Sequence, residues 1–357
     1  MTTGQSLADG AAGHALAHLE RRDWPAAYAA LRLAVADGVS TGDGASLYHG
    51  APALAFVLAA TTHPGLAQAR AVTTAGTATI TRRRLATAHR RIDRHQRPHY
   101  AEYDLIRGLT GLGVVLRRTG DTDLLRQVLE YLVRLTEPVN GLPGWWCHNA
   151  AERRQPAPAG GHANHGLAHG IAGPLALLAL ALADNITVDG HTEAIACICG
   201  WLDQWAQNTN GATWWPQILT RADLDHGVPA QPAPLRPSWC YGTPGIVRAQ
   251  QLAAIAVGDT TRQRRVEAAF TSCISDPRQV ALLTDRGLCH GTAGLLATAR
   301  RITADALTPM PLPLIEDLPR PAAAGDQPGG FLDGTAGVDL VTAGTTDTRW
   351  DASLLLA

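Results

Sequence analysis

The chain contains no lysine and few aromatic residues. All 30 basic residues among its 357 are arginines, and phenylalanine, tryptophan and tyrosine together make up only 5%. The formal net charge of −1 argues against a general nucleic-acid-binding protein, because such proteins present a strong positive field. The absence of lysine is most simply explained by the codon usage of a GC-rich genome, and no function is inferred from it.

The sequence also lacks a segment typical of membrane insertion. Its first twenty residues contain no basic cluster followed by an apolar core, which a signal peptide requires. The longest apolar run, Gly170 to Ala183, is too short to span a bilayer and is interrupted by Pro174. We therefore expect a cytoplasmic protein that does not insert into a membrane. In that reducing compartment, metal binding or burial explains the six cysteines better than a disulfide framework.

What the chain does contain is a short motif that recurs six times. Each copy is a Gly-x-x-Gly-like turn that opens an apolar, helical stretch, and the leading glycines are Gly50, Gly108, Gly170, Gly242, Gly291 and Gly334. Copies that recur at intervals of 43 to 72 residues indicate a repeat architecture. Because the repeats cover nearly the whole length, residues 1–357 are predicted to form a single domain.

Between the motifs the pattern is helical. One amphipathic helix, which Asp121 can cap and Pro138 terminates, has its apolar face at Leu124, Leu125, Val128, Leu129, Leu132 and Leu135. In contrast, the stretch from Pro174 to Ala183 is apolar on nearly every side, as expected for a buried helix. No run alternates as a half-buried strand does. Paired buried and amphipathic helices predict an all-α fold, an α/α toroid with six inner and six outer helices in a double-ring barrel.

Two of the motifs carry residues that bind metals. Cys240 stands just before Gly242, and Cys289 and His290 stand just before Gly291, so all three open successive inner helices. We expect them to meet at one end of the ring, where two thiolates and an imidazole suit tetrahedral Zn²⁺. Three protein ligands leave a fourth position open, as in catalytic sites, and two thiolates favour activation of a substrate thiol over hydrolysis. The alternative is that the cysteines are merely buried.

Other conspicuous residues have a structural interpretation. The remaining cysteines lie outside the motifs and are interpreted as core or loop residues: Cys147, Cys197, Cys199 and Cys273. Asp333, in the last motif, is predicted to cap a helix. Two tryptophan pairs, Trp145-Trp146 and Trp214-Trp215, either line a groove or pack beneath loops.

These motifs resemble those of the lanthionine synthetase C family, the lanthipeptide cyclases. The similarity extends from about His49 to Gly337 and lies in Trp239-Cys240-Tyr241-Gly242, Cys289-His290-Gly291, Ala168-His169-Gly170 and the motif that begins at Asp104. The resemblance implies an α/α toroid with a zinc ion at one end. It also implies that peptide cysteines add to dehydroalanine or dehydrobutyrine, which forms lanthionine or methyllanthionine thioether rings in a ribosomally made peptide.

Carried over position by position, the resemblance implies zinc ligands at Cys240, Cys289 and His290 and catalytic residues at Asp104, His169, Arg236 and Tyr241. His169 would protonate the α-carbon, Arg236 and Tyr241 would stabilise enolate charge, and Asp104 would either orient His169 or accept the thiol proton. The implied partners are a dehydrated precursor peptide, a separate dehydratase, and a transporter through which the protein would associate with the membrane.

Three alternatives remain open from the sequence. The same fold and zinc site could add a free thiol, such as glutathione, to a dehydrated peptide. A protein prenyltransferase subunit is also an α/α toroid that activates a cysteine with zinc, but it lacks these motifs and needs a partner subunit. A non-catalytic zinc scaffold that binds a modified peptide in a synthetase complex would have no need of Asp104, His169, Arg236 and Tyr241.

Overall fold

A computed structural model describes residues 3–150, 156–310, 312 and 329–357 of the chain. Within them the protein is mostly helical. The helices are α1 (Ala11–Glu20), α2 (Trp24–Ala34), α3 (Ala51–Leu58), α4 (Ala67–Asp93), α5 (Tyr100–Tyr103), α6 (Leu109–Thr119), α7 (Thr122–Arg134), α8 (Ala172–Ala183), α9 (His191–Gln204), α10 (Arg221–His226), α11 (Thr243–Val257), α12 (Thr260–Ser275), α13 (Pro277–Val280), α14 (Thr292–Ala304) and α15 (Thr335–Ala343). Single turns of 3-10 helix occupy Thr3–Gln5, Pro64–Leu66 and Trp350–Leu354.

The two helices predicted in most detail are confirmed. The Asp121 side chain accepts a hydrogen bond from the Leu124 N–H (3.2 Å) and so caps α7, which ends at Arg134, four residues before Pro138. All six predicted leucine and valine positions on its apolar face are buried. α8 is buried from Ala172 to Ala181, as a helix that is apolar on every side must be.

Seven helices begin just after the leading glycine of a motif: α1, α3, α6, α8, α11, α14 and α15. In this order each contacts the next, and α15 contacts α1, so the contacts close into a cycle. The predicted number of six was therefore wrong. The helix not foreseen is α1, which begins at Ala11 within Asp9-Gly10-Ala11-Ala12-Gly13, a further copy of the motif. It contacts both α15 and α3 and so completes the cycle.

Five amphipathic helices flank this cycle among the described residues. α2, α4, α7, α9 and α12 each pack against the motif-led helix that precedes them in the chain. These flanking helices keep one face exposed, whereas α3 is buried at every residue and α11 from Thr243 to Ala254. The predicted sixth outer helix has no counterpart in the described part of the chain. Residues 313–328 are not among the described residues.

Backbone hydrogen bonds join the turns of successive motifs. They run from Leu7 N to Tyr48 O, Leu105 N to Ala168 O, Ala168 N to Cys240 O, Cys240 N to Cys289 O, Cys289 N to Leu332 O and Leu332 N to Ala8 O, at 3.0–3.2 Å. The second glycine of a motif permits the tight turn within that motif, since a Cβ atom at Gly294 would lie 2.0 Å from the Leu288 carbonyl oxygen. Together these bonds form a belt of backbone hydrogen bonds, which holds Cys240 and Cys289 side by side at one end of the helices.

The C-terminal segment fills the space that the cycle encloses. Ser353, Leu354 and Leu356 are fully buried. The Ser353 carbonyl accepts a hydrogen bond from the Tyr48 hydroxyl, and the Leu354 carbonyl accepts one from Nε1 of Trp239, both at 2.9 Å. Because Tyr48 and Trp239 belong to motifs on opposite sides of the cycle, the segment lies between them and ties the two sides together.

Two small antiparallel sheets were not predicted. Strands β1 (His162–Asn164), β2 (Gln207–Thr209), β3 (Ala212–Trp214) and β4 (Ile218–Thr220) pair as β1 with β4 and β2 with β3. At three residues each, they are too short to produce an alternating pattern in the sequence. All four paired tryptophans are at most 3% exposed, so the structure favours packing over the groove alternative, although Trp214 also lines a surface pocket. None of the helices in the described ranges is long and apolar enough to cross a membrane.

Candidate functional site

Cys240, Cys289 and His290 form a compact group at the end of the cycle where the motifs meet. Their potential ligand atoms all lie within 4.8 Å of one another. Cys240 is buried, whereas Cys289 and His290 are half-buried and reach the surface. The hydrogen bond from Cys240 N to Cys289 O (3.2 Å) sets the two motifs against each other, so the sulfur atoms converge although 49 residues separate them.

The three groups interact strongly. Hydrogen bonds from Cys289 and His290 to the Cys240 sulfur lower the pKa of Cys240 well below its usual value. The same contact raises the pKa of Cys289, because a second thiolate would stand beside the first. The bond to Cys240 also raises the pKa of His290. A divalent cation would relieve the repulsion between two thiolates, so this donor set fits Zn²⁺.

Two carboxylates flank His290, and neither was assigned to the site from the sequence. Oδ2 of Asp285 lies 3.4 Å from Nε2 of His290, and Oδ1 of Asp333 lies 3.8 Å from its Nδ1. The predicted capping role of Asp333 is wrong, since the N-cap of α15 is Gly334 and no side chain caps it. Carboxylates next to a ligating imidazole fix its tautomer and orientation. Asp285 could have been suspected, because it precedes Gly291 by six residues just as Arg236 precedes Gly242.

Asp104 and His169 form a hydrogen-bonded pair. Oδ2 of Asp104 lies 2.6 Å from Nδ1 of His169. Asp104 is fully buried, and its other oxygen, Oδ1, accepts hydrogen bonds from the backbone N–H groups of Arg107 and Gly108, each at 2.7 Å. The carboxylate is therefore held from both sides. Such a carboxylate fixes the orientation and tautomer of the imidazole, so Nε2 is left to act on a substrate.

Aromatic rings flank His169. The Tyr241 ring centroid lies 6.0 Å from that of His169 on one side, and that of Tyr100 lies 5.5 Å away at a steep angle. Burial raises the pKa of Tyr241 above its ordinary value, so its hydroxyl stays protonated and can donate a hydrogen bond. Tyr100 was not singled out in the sequence, and no motif of its own marks it.

Arg236 lies near the cluster but is not bonded into it. Its charge acts on both Cys289 and His290. The side chain is half-buried and makes no hydrogen bond or ion pair with any described residue. The Arg236 guanidinium is therefore available to form an ion pair with a bound anion. All seven site residues foreseen in the sequence thus lie in motifs whose turns are joined at this end of the helices.

The other cysteines are separate from the site. All six are free thiols. Burial raises the pKa of Cys147 to about 12 and of Cys273 to about 12, which makes both unreactive. Cys199 is also buried, whereas Cys197 is exposed on α9. The interpretation as structural residues therefore holds for the buried Cys147, Cys199 and Cys273 but not for the exposed Cys197.

These features together define a class of helical protein. In it the helices that follow the motifs form a cycle, and two thiols and an imidazole cluster at one end. The chain belongs to the lanthionine synthetase C-like family, whose family model matches residues 2–343. The resemblance found in the sequence is thereby confirmed.

Two relatives show how far this similarity extends. The nisin biosynthesis protein NisC of Lactococcus lactis subsp. lactis is 26% identical over 202 residues, which cover 55% of this chain and 48% of that protein. The match therefore spans about half the length of this curated relative. The solved structure of nisin cyclase superimposes with a TM-score of 0.81 at 20% identity, and the match covers 100% of this chain and 93% of that one. The predicted helical fold is confirmed at this level.

Proposed function

We propose that this protein is a zinc-dependent lanthipeptide cyclase. It would add cysteine thiols of a peptide to dehydroalanine or dehydrobutyrine residues of the same peptide and so form thioether rings. The observation that carries the proposal is the arrangement of Cys240, Cys289 and His290 within 4.8 Å, at the same end of the helices as the bonded Asp104–His169 pair. The family membership and the likeness to nisin cyclase support it.

Cys240, Cys289 and His290 would hold the metal. When bound there, Zn²⁺ supplies a Lewis acid that keeps a substrate thiol deprotonated at neutral pH. Two protein thiolates offset the cation's charge, which leaves a substrate sulfur electron-rich. Of Asp285 and Asp333, the carboxylate that faces the ring nitrogen not bound to the metal would hold His290 in its ligating orientation.

The remaining residues handle charge and protons. As the sulfur bonds to the β-carbon, the π electrons of the dehydro residue move onto its carbonyl oxygen. The Arg236 guanidinium and the Tyr241 hydroxyl can stabilise that negative charge. His169, held at Nδ1 by Asp104, can take the thiol proton at Nε2 and return a proton to the α-carbon. The reaction therefore needs no net proton, oxidant or reductant.

The architecture and partners follow the same proposal. We infer that the cycle of motif-led helices and its flanking helices form an α/α toroid, and that residues 1–357 act as a single domain. The substrate would be a precursor peptide dehydrated by a separate enzyme. The C-terminal segment is hydrogen-bonded to Tyr48 and Trp239, and the peptide would reach the site at the motif end of the helices.

The test is incubation of the zinc-loaded protein with a peptide that contains both dehydroalanine and cysteine. Cyclisation leaves the peptide mass unchanged but removes one site for thiol alkylation per ring, which mass spectrometry counts. His169→Ala should retain zinc and lose most ring formation, whereas His226→Ala, an exposed residue of α10, should behave as the wild type.

Other outcomes would contradict the proposal. Addition of glutathione mass to the peptide, with its own cysteine left free, would show that the electrophile takes a free thiol instead. Tight peptide binding without loss of thiols would favour a scaffold. Purified protein without stoichiometric zinc, after growth in zinc-supplemented medium, would remove the basis of the mechanism.

A further inference from the structure

The residue immediately before the leading glycine has the same character in all seven motifs. Each of these residues has a side chain that can ionise, and each is half-buried or exposed, although the glycine that follows it is buried. We call them the pre-glycine ring; in the order of the cycle they are Asp9, His49, Arg107, His169, Tyr241, His290 and Asp333. A substrate that approaches the motif end of the helices therefore meets this ring of side chains.

Neighbouring members of the pre-glycine ring lie side by side. A bond of the backbone belt joins the motifs of His169 and Tyr241 at 3.2 Å, and the centroids of their side-chain rings are 6.0 Å apart. Another neighbouring pair, His290 and Asp333, approaches to 3.8 Å between Nδ1 and Oδ1. A belt bond of 3.1 Å joins the motifs of Arg107 and His169 in the same way. Arg107 is therefore the neighbour of His169 on the side away from Tyr241.

The Arg107 guanidinium is exposed, and it makes no hydrogen bond or ion pair with any described residue. The part that Arg107 plays in its turn belongs to the backbone, whose N–H donates to Oδ1 of Asp104 at 2.7 Å. The guanidinium itself is not bonded to Asp104, which His169 and backbone N–H groups already hold. Burial raises the pKa of Tyr100, and the nearby charge of Arg107 opposes that rise. Because Tyr100 packs against His169 at 5.5 Å, the free cation lies beside the Asp104–His169 pair.

Charge is distributed unevenly around the pre-glycine ring. Arg107 is the one permanent cation among its seven members. On the other side of the cycle, Asp333 and Asp9 follow His290 in successive motifs, and Asp285 lies 3.4 Å from the same imidazole. An anionic group of a peptide is therefore attracted to Arg107 and repelled from the acidic side of the ring.

We propose that Arg107 binds a carboxylate of the substrate peptide and so sets the direction in which the peptide lies across the pre-glycine ring. This inference rests on the proposed function. A free guanidinium can bind a carboxylate through two parallel hydrogen bonds. With the cysteine at the cluster and the dehydro residue at His169, the carboxylate lies on the side of the dehydro residue away from the cysteine. It belongs either to an acidic side chain or to the C-terminus of the peptide.

The first test measures binding to peptides that cannot cyclise, because alanine replaces the reacting cysteine. Three peptides differ beside the dehydroalanine, on the side away from that alanine: one has glutamate, one has glutamine, and one ends there in a free C-terminal carboxylate. The first two are amidated at the C-terminus. At least one carboxylate peptide should bind about tenfold more tightly than the glutamine peptide, between the contributions of an exposed ion pair and of a charge-assisted hydrogen bond.

The variant Arg107→Gln should abolish this difference in Kd. Its backbone N–H still bonds to Asp104, so the turn and the Asp104–His169 pair should remain intact. Arg264→Gln is the matched control, because Arg264 is exposed on α12 and likewise has no hydrogen bond or ion pair among the described residues. This control should keep the wild-type preference. Arg107→Lys should restore only part of it, since an ammonium group cannot form two parallel bonds to a carboxylate.

The second test uses the corresponding peptides with cysteine restored. Arg107→Gln should raise KM for the preferred carboxylate peptide about tenfold and leave kcat within about threefold of wild type, because the contact is the same in the ground state and the transition state. Zinc content and Tm should not change. A fall in kcat without a rise in KM would overturn the proposal, since it would place Arg107 in the chemical step instead of in peptide binding.

The remaining outcomes separate the proposal from the proposed function. Equal Kd values for all three peptides, or a preference that survives Arg107→Gln, would rule out the carboxylate site. An equal gain from glutamate on the cysteine side would also rule it out, because no direction would then be set. If the preference depended on Arg107 but the wild type formed no rings, the proposed function would fail and the carboxylate site would stand. If rings formed without any preference, the function would stand and the site would fail.

Discussion

Asp104→Asn isolates the contribution of one buried carboxylate. The variant keeps Oδ1, so the hydrogen bonds from the Arg107 and Gly108 N–H groups can persist and the turn should fold as before. The group that faces Nδ1 of His169 at 2.6 Å changes from an acceptor to an amide donor. Because two donors cannot bond to each other, His169 must move its proton to Nε2. The nitrogen that faces the substrate then donates instead of accepting.

The expected loss of activity follows from the bond that is removed. A hydrogen bond to a charged group contributes about 1.5–3 kcal/mol. At about 1.36 kcal/mol for each tenfold change in rate, its loss slows ring formation about 10- to 160-fold. The wrong tautomer adds to this, so a hundredfold decrease in kcat is the central expectation. Zinc content and Tm should change little, since Cys240, Cys289 and His290 are not altered.

The assay is the time course of alkylatable thiols in the dehydrated peptide under saturating substrate. Asp123→Asn provides a matched control, because Asp123 is almost fully exposed on α7 and, among the described residues, pairs with Arg126. A rate for Asp104→Asn within threefold of wild type, at full zinc occupancy, would refute the view that Asp104 sets the state of His169. Loss of zinc in that variant would instead show that the pair supports the metal centre.

Three further predictions concern stability. Leu177→Ala, which removes a fully buried side chain from α8, should lower the unfolding free energy by about 2–5 kcal/mol in denaturant titrations, and a loss under 1 kcal/mol would contradict the packing described. Burial alone would raise the pKa of Glu20, but hydrogen bonds led by that from Thr345 outweigh burial and lower the pKa. The ionised Glu20 therefore stabilises the folded state above pH 4.5, and this contribution is lost as the pH falls further. The Tm difference between wild type and Glu20→Gln should therefore be full at neutral pH and shrink in acid; a pH-independent difference would argue against this. Chelation of the proposed zinc should lower Tm in the wild type, since only the folded state would hold the metal, and far less in Cys289→Ala; equal responses would place the metal elsewhere.

The helices were predictable because their signals are local. The buried stretch of α8 and the amphipathic face of α7 each lie within one short window, and side-chain periodicity reports burial directly. The first motif was missed although Asp9-Gly10-Ala11-Ala12-Gly13 has the same form as the last one, Asp333-Gly334-Thr335-Ala336-Gly337. Recognition of that copy would have predicted seven motif-led helices.

The sequence by itself indicated the kind of site. Cys240, Cys289 and His290 are ligand types that favour zinc wherever they meet, and their place in recurring motifs indicated that they would. Only the tertiary structure decided which groups surround them. Asp285 and Asp333 flank His290 because a belt of backbone hydrogen bonds aligns turns that are 43 to 72 residues apart along most of the chain. Contacts of that kind depend on how the cycle of helices closes, although Asp285 has a place in its motif that pointed to the site.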